Sequence, residues 1–123
     1  LKLYKVPHFP VILSFNKKEI YMSYCGVPLN NDNIPYNWKE QIIEIIKLLK
    51  KYNISNNDMW SSNFLVNNNI IYLIDFGWAT NERQYPFINI TDQDINNHSN
   101  IFKLFDYVFQ RVVEERIKFT NNI

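Results

Sequence analysis

Two stretches of the sequence repeat apolar residues at steps of three and four positions, and this period restricts the possible folds more than any other feature. One stretch covers residues 38–52 and the other covers residues 101–119. A period near 3.6 places such residues along one side of a helix, and that side has to pack against another element. The sequence therefore predicts two amphipathic helices. Their apolar positions are Ile42, Ile45, Ile46, Leu49 and Tyr52 in the first helix, and Ile101, Leu104, Phe105, Val108, Val112 and Val113 in the second.

Each predicted helix follows a polar residue that can cap its first turn. Asn37 precedes the first helix, and Glu40 lies three positions later, as in a capping box. Ser99 or Asn100 can accept hydrogen bonds from the first amide groups of the second helix. We expect both helices to begin directly after these capping residues.

Short runs of β-branched and aromatic residues predict two hairpins. Residues 11–15 and 19–23 are joined by a polar connection, which suits the first hairpin. Residues 64–66 and 70–74 flank three consecutive asparagines, and asparagine tolerates the left-handed backbone conformations that tight turns require. The second hairpin is therefore expected to turn at these asparagines.

The segments between these elements carry no convincing hydrophobic period. The strand pattern of the first hairpin ends near Gly26, where we expect the chain to leave the sheet. Residues 53–62 and 79–99 are polar and are expected to be loops, the second with one short turn. A length of 123 residues, of which 46% are hydrophobic, suits one core. A single domain is therefore expected.

Charge and apolar run length argue against several classes of function. Only 20% of the residues are charged and the net charge is +1, so no broad field exists to hold nucleic acid or anionic lipid. No apolar run approaches the length of a bilayer span, and no signal segment opens the chain. The lone cysteine, Cys25, is expected to be a packed thiol, and His8 and His98 match no motif. We expect an intracellular, cytoplasmic protein with no nucleic-acid or membrane partner. Its many Asn, Ile, Lys, Tyr and Phe residues are those of AT-rich codons, as in a large DNA virus or a protist.

Three polar residues around the second hairpin form a pattern that suits phosphate chemistry. Asp58 precedes Asn63 by five positions, and the hairpin then returns the chain to Asp75. Phosphoryl transfer needs magnesium held on the phosphates and a carboxylate that positions the acceptor hydroxyl. Carboxylate and amide oxygens are ligands that magnesium accepts. The spacing therefore predicts a phosphotransfer site at the ends of this hairpin.

The same residues carry a resemblance to a known family. Asp58 and Asn63, followed by Asp75-Phe76-Gly77, resemble the protein-kinase pattern H-R-D-x-x-x-x-N followed by D-F-G. By this resemblance Asp58 is the catalytic base, and Asn63 and Asp75 are magnesium ligands. The cofactors implied are ATP and Mg²⁺, and the acceptor is a hydroxyl of a protein or a small molecule. A serine/threonine-type kinase is the implied class.

The resemblance extends to the residues expected around the nucleotide. The stretch that ends at Cys25 is similar to the fifth strand of a kinase running into the hinge between its lobes, with Met22 as gatekeeper. The main chain of Ser23 and Cys25 would then bond the adenine. Leu65 matches the apolar residue beneath the adenine, and Ile74 matches the residue before D-F-G. These five residues are the implied ATP-binding positions.

The implied fold is α+β: the C-terminal lobe of a protein kinase-like domain, with the last strands of the N-terminal lobe, two main helices and a catalytic hairpin. Residues 1–123 would be a partial kinase domain, in which residues 1–26 hold those strands and the hinge and residues 27–123 form an abbreviated C-terminal lobe. Asp106 would match the family's buried helix aspartate. We expect the natural protein to have further kinase sequence upstream.

Several departures from the family pattern keep a second hypothesis open. The chain has two glycines, Gly26 and Gly77, so it has no glycine-rich loop over the phosphates. Residues 1–10 leave no room for the strand lysine that pairs the phosphates. Asn56 and Asn57 stand where the family has His and Arg. We therefore expect negligible phosphotransfer from this chain alone, and the alternative to an incomplete kinase is a pseudokinase that acts as a binding or scaffold module.

Overall fold

The computed structural model of the protein describes residues 6–52, 54–56, 63–74, 79–81 and 89–121. These residues form a mixed α+β structure of short antiparallel strands and three helices. The strands are β1 (Ile12–Phe15), β2 (Ile20–Met22), β3 (Val27–Pro28), β4 (Ile54–Asn56), β5 (Phe64–Asn67), β6 (Ile70–Leu73) and β7 (Ala79–Asn81). The helices are α1 (Trp38–Lys51), α2 (Asp92–Asn96) and α3 (Ile101–Asn121). Both predicted hairpins and both predicted helices are confirmed.

The described strands form three small antiparallel sheets. Strand β1 pairs with β2, β4 pairs with β7, and β3, β5 and β6 form a three-stranded sheet in that order. The third strand of this sheet was not predicted. Val27 lies opposite Val66, and Pro28 lies opposite Leu65. The chain does leave the sheet of the first hairpin before Gly26, as expected, but the next residues join a second sheet, because they pair with a strand that lies far along the sequence.

The core lies between helices α1 and α3 and one face of β5 and β6. Ile42, Ile45 and Leu49 of α1 are buried, as the helical period predicts. The rings of Phe64 and Phe105 stack with their centroids 4.9 Å apart, which joins β5 directly to α3. The second predicted stripe is also buried, from Ile101 through Leu104, Phe105 and Val108 to Val112. Apolar burial of this kind is the main force that holds the elements together.

Two residues of the predicted helices depart from expectation. Tyr52 is 54% exposed, because helix α1 ends one residue earlier and the tyrosine no longer follows the helical face. Asp106 is exposed on α3, beside the fully buried Phe105. The expectation of a buried aspartate at position 106 is therefore wrong, since this residue lies on the solvent side of the helix.

The two predicted helix caps have different outcomes. The Oδ1 of Asn100 accepts the amide groups of Phe102 and Lys103 at 2.8 and 3.3 Å, so this cap is confirmed. The side chain of Asn37 caps no amide of α1 among the described residues, and its Oδ1 instead accepts Nε2 of Gln41 at 2.9 Å. The backbone at Asn37 lacks the extended conformation of a typical cap, with φ −99° and ψ 32°.

The predicted loops contain short elements that have no hydrophobic period. Strand β4 lies in the stretch 53–62, and β7 and α2 lie in the stretch 79–99. Thr91 begins α2 with a capping box, in which its side chain accepts the Asp94 amide and the Asp94 carboxylate accepts the Thr91 amide. Within the described part of the chain, no helix combines the length and the apolar character that a membrane span requires.

Candidate functional site

The hairpin of β5 and β6 has one buried face and one face turned away from the core. Phe64 and Leu73 form a buried cross-strand pair, whereas Leu65 and Tyr72 form a half-buried pair on the other face. Side chains alternate along a strand, so the predicted adenine-contacting residue Leu65 projects away from the core. The turn uses Asn68 with φ 51° and Asn69 with φ 62°, the left-handed conformations expected of these asparagines.

The hairpin brings two of the predicted site residues together. The amide of Ile74 donates to the carbonyl oxygen of Asn63 at 3.0 Å, which continues the ladder one step beyond the Phe64 and Leu73 pair. Asn63 is buried, with 7% of its surface exposed. The predicted magnesium ligand Asn63 therefore lies beside the residue that directly precedes Asp75.

The two carboxylates of the predicted site, Asp58 and Asp75, lie outside the described residues, as do Phe76 and Gly77. The backbone on either side of them is described. Asn56 pairs with Ala79 across β4 and β7, and Asn63 lies beside Ile74. Described backbone that is paired with another segment therefore lies directly before and directly after each of the stretches 57–62 and 75–78.

The predicted hinge residues follow the first hairpin. Met22 ends β2 and is 44% exposed. The Ser23 amide donates to the Val11 carbonyl oxygen at 2.8 Å, and the Ser23 hydroxyl accepts the Val11 amide at 2.9 Å. Cys25 is buried, and its thiol donates to the Ser23 carbonyl oxygen at 3.5 Å, so the prediction of a packed thiol is confirmed. The described contacts of Ser23 tie the hinge stretch to the start of β1.

Gly26 allows the stretch after the predicted hinge to lie against β5. Its backbone has φ +106°, a conformation that other residues rarely adopt. A Cβ atom at this position would lie 2.0 Å from the Val66 carbonyl oxygen. Beyond β3, the Leu29 amide donates to the Phe64 carbonyl oxygen at 3.0 Å. The contact therefore brings the chain around Cys25 to the strand that carries Leu65.

Gln41 of α1 holds the outer edge of the hairpin and was missed by sequence reasoning. Its Oε1 accepts the Ile71 amide at 2.7 Å, and its Nε2 donates to the Asn69 carbonyl oxygen at 2.7 Å. The side chain is 6% exposed, so these hydrogen bonds replace those that water would make. The sequence does contain a signal for this role, because Gln41 is a polar residue within the apolar stripe, next to Ile42 and one turn before Ile45.

His8 holds the same edge from a second direction. Its carbonyl oxygen accepts the Leu73 amide at 2.9 Å, and its Nδ1 lies 2.8 Å from the Ile71 carbonyl oxygen. Its Nε2 lies 3.0 Å from Oε2 of Glu44 on α1. The sequence assigned no role to His8, because its partners lie 36 and 63 positions away.

A polar cluster joins α2 to α3 on another part of the molecule. The Tyr107 hydroxyl donates to the Asp94 carboxylate at 3.0 Å, and Arg111 lies 3.6 Å from the same carboxylate. Burial by itself would raise the pKa of Asp94, but hydrogen bonds from Thr91 and Tyr107 and the charge of Arg111 hold that pKa below its ordinary value. Burial and the bond to Asp94 raise the pKa of Tyr107. Arg111 also donates to the Asn89 carbonyl oxygen at 2.7 Å.

The described part of the chain contains no group of three or more His, Cys, Asp or Glu side chains that could hold a metal ion. The predicted ligand set is of another kind, since it combines the Asn63 amide with the carboxylates Asp58 and Asp75, which lie outside that part. Comparisons with known proteins add no family. No protein-family model matches the chain, and no curated protein matches it.

Proposed function

We propose that the chain is part of an ATP- and magnesium-dependent phosphotransferase of the protein kinase-like class, of serine/threonine type. One observation carries the proposal: the hairpin of β5 and β6 puts Asn63 beside Ile74, the residue before Asp75. The pattern D-x-x-x-x-N followed by D-F-G requires such a hairpin if its three polar residues are to act on one set of phosphates. The described backbone is consistent with that requirement.

A second contact supports a nucleotide site between the predicted hinge and the hairpin. Gly26 approaches Val66 closely, and Pro28 pairs with Leu65, so the stretch after Cys25 runs along β5. In a kinase-like site the main chain of Ser23 and Cys25 would bond the adenine edge, and the Leu65 side chain would lie beneath its face. Met22 and Ile74 would border the same cleft. Apolar contact on one side and main-chain hydrogen bonds at the edge suit a planar base.

The proposed chemistry needs three polar side chains in separate roles. The donor set, an amide oxygen from Asn63 and a carboxylate from Asp75, fits Mg²⁺, which prefers hard oxygen ligands. Bound magnesium would neutralise charge on the transferred phosphate. Asp58 would orient the acceptor hydroxyl and accept its proton at a carboxylate oxygen. The acceptor is a hydroxyl of a protein or a small molecule.

A pseudokinase that acts as a binding or scaffold module is the second candidate function. Asn56 and Asn57 favour it, since they stand where active kinases have the His and Arg that support the base. Asp58, Asn63 and Asp75 favour an active enzyme, because a scaffold has no need of the magnesium ligands. The two functions differ in whether bound ATP is consumed.

The test begins with the coding sequence that flanks this chain in its genome. If it encodes a glycine-rich loop and a strand lysine, the complete protein should transfer phosphate from Mg-ATP to a hydroxyl acceptor. Asp58→Asn should then lower kcat by about 10²- to 10⁴-fold, because general-base help is lost. Asp32→Asn, in an exposed turn of the described structure, is the matched control and should leave kcat unchanged.

The outcomes separate the two candidate functions. Flanking sequence with neither a glycine-rich loop nor a strand lysine would rule out the active kinase. A complete protein that binds Mg-ATP without transferring phosphate would be the pseudokinase. The present chain alone should show negligible transfer, because half of the phosphate clamp is absent from it. Robust turnover by this chain that disappears in Asp75→Ala would contradict that expectation.

A further inference from the structure

His8 bonds the outer edge of β6 at the end of the strand that leads to Asp75. Its carbonyl oxygen accepts the Leu73 amide at 2.9 Å. The next amide along the chain, that of Ile74, donates to the carbonyl oxygen of Asn63 at 3.0 Å. Successive amides of a strand point to opposite edges, so the chain is held from both sides directly before Asp75.

The ring of His8 keeps its carbonyl oxygen in place. Nδ1 lies 2.8 Å from the Ile71 carbonyl oxygen, and Nε2 lies 3.0 Å from Oε2 of Glu44 on α1. The residue is 6% exposed, and its φ of 66° is one that residues other than glycine seldom adopt. The nearby Pro7 and Pro10 carry no amide hydrogen, so this segment supplies fewer ladder bonds than a regular strand would. The contact with Leu73 therefore depends on which side chain stands at position 8.

A magnesium site tolerates little displacement of its ligands. Mg²⁺ needs near-ideal octahedral geometry at about 2 Å from each oxygen. The proposed function gives this role to Asn63, which is buried, and to Asp75, which follows Ile74 directly in sequence. Residues that orient the ligands change metal affinity although they do not touch the metal. The hydrogen bonds at Leu73 and Ile74 fix the main chain from which one ligand continues and against which the other lies.

We propose that His8 is a positioning residue for the magnesium site. It holds the end of β6, so that Asp75 leaves the strand at a fixed point beside Asn63. His8 acts through the main chain of Leu73 and is not a ligand itself. This role rests on the proposed function, since without a metal at Asn63 and Asp75 there would be nothing for His8 to position.

The Mn²⁺ affinity of the whole chain tests this role without any measurement of activity. Mn²⁺ takes the same oxygen ligands as Mg²⁺, and its unpaired electrons broaden nearby resonances, so a titration followed at the Ile74 amide gives a dissociation constant. His8→Gly removes the ring but permits a positive φ, and it should weaken binding about tenfold, as for residues that orient metal ligands. His8→Val also disfavours the positive φ and should weaken binding further.

Two other variants separate positioning from a general loss of stability. Ile95→Val leaves a small cavity at a fully buried position of α2 and removes none of these hydrogen bonds. It should lower the stability of the chain and leave the Mn²⁺ dissociation constant unchanged. Asp75→Asn removes a carboxylate ligand and should abolish binding at this site, which tests the proposed metal site itself.

Amide exchange in the unmodified chain gives a second measurement that does not require a variant to fold. If the bond between His8 and Leu73 favours metal binding, bound metal must favour that bond by the same factor. Saturating Mg²⁺ should therefore raise the protection factor of the Leu73 amide about tenfold relative to the Ile71 amide. The Ile71 amide is the internal control, because it belongs to the same strand but is bonded to Gln41.

The outcomes separate the role of His8 from the proposed function. Absence of Mn²⁺ binding in the unmodified chain, or undiminished binding by Asp75→Asn, would contradict the proposed metal site and the role of His8 with it. Binding that is lost in Asp75→Asn but unchanged in His8→Gly would overturn only the role of His8. The same conclusion follows if Ile95→Val weakens binding as much as His8→Gly does, or if Mg²⁺ leaves the ratio of Leu73 to Ile71 protection constant.

Discussion

The described part of the chain contains two antiparallel hairpins of similar length, one packed in the core and one exposed. In the hairpin of β5 and β6, alternate side chains are buried, and Phe64 is fully enclosed. In the hairpin of β1 and β2, every residue of both strands is exposed, and Phe15 keeps 60% of its surface accessible. Both hairpins are rich in apolar residues, so composition does not account for the difference.

The edges of the two hairpins explain the difference. The buried hairpin has β3 along one edge, and Gln41 and His8 bond the amide and carbonyl groups of the other. The exposed hairpin forms a two-stranded sheet, and the bonds between Ser23 and Val11 extend the pairing of its own two strands and do not join it to another element. A two-stranded hairpin is marginal in water unless other elements cover it. Partners from distant parts of the chain, and not local sequence, therefore make one hairpin part of the core.

The largest expected effect on stability comes from a comparison in which one phenylalanine side chain is removed from each hairpin. Phe64→Ala should lower the free energy of unfolding by about 3–5 kcal/mol, because it leaves a cavity against Phe105 in the core. Phe15→Ala should change it by less than about 0.5 kcal/mol, since an exposed side chain loses few contacts. Chemical denaturation followed by circular dichroism measures both. Equal losses in the two variants would show that the exposed hairpin is packed after all.

A smaller loss of stability should follow when the outer edge of the buried hairpin loses its hydrogen bonds to Gln41. Gln41→Ala should cost about 1–3 kcal/mol, because the buried Ile71 amide is left without its acceptor. Glu40→Ala, an exposed change at the preceding position of α1, is the matched control and should lie within about 0.5 kcal/mol of the unmodified chain. Denaturation midpoints give the difference. A Gln41→Ala protein as stable as its control would mean that water reaches this edge and replaces the glutamine.

The same contrast explains which parts of the fold the sequence could predict. The stripe from Ile42 to Leu49 and the hairpin turn at Asn68 are local patterns, and both were predicted correctly. Strands β3, β4 and β7 have two or three residues each, too few for a period, and each forms by pairing with a distant partner. Tyr52 illustrates the limit of periodicity, because the stripe continues in sequence while the helix has ended.

The contacts of the candidate site also divide into those that a local sequence pattern predicts and those that depend on distant parts of the chain. The approach of Asn63 to Ile74 follows from the register of a local hairpin, so the sequence was sufficient to predict it. The close approach of Gly26 to Val66 depends on tertiary packing between distant segments, and no local pattern reports it. Gln41 is intermediate, since a polar residue within an apolar stripe indicates a buried hydrogen bond without naming its partner.

The smallest expected effect concerns two tyrosines, one in the exposed hairpin and one on α3 that packs against the core. A hydrogen bond to Glu19, with a minor contribution from burial, raises the pKa of Tyr21. For Tyr107 burial is the leading cause, followed by the bond to Asp94. Glu19→Gln should return the pKa of Tyr21 toward its ordinary value with only a small change in stability, because water screens an exposed pair. Asp94→Asn should lower the pKa of Tyr107 only in part and should reduce stability.

Ultraviolet absorbance during an alkaline titration measures both pKa values, and denaturation at each pH gives the stability. A folded-state pKa raised above that of the unfolded chain gives stability that is complete below about pH 10 and is lost as the pH rises through the folded-state value. We expect Tyr107 to contribute more of this loss than Tyr21, because the bond between Tyr21 and Glu19 is exposed to water, so Glu19→Gln should shift the alkaline stability curve less than Asp94→Asn does. If Glu19→Gln shifted that curve as far as Asp94→Asn does, the exposed hairpin would be contributing to the stability of the folded core.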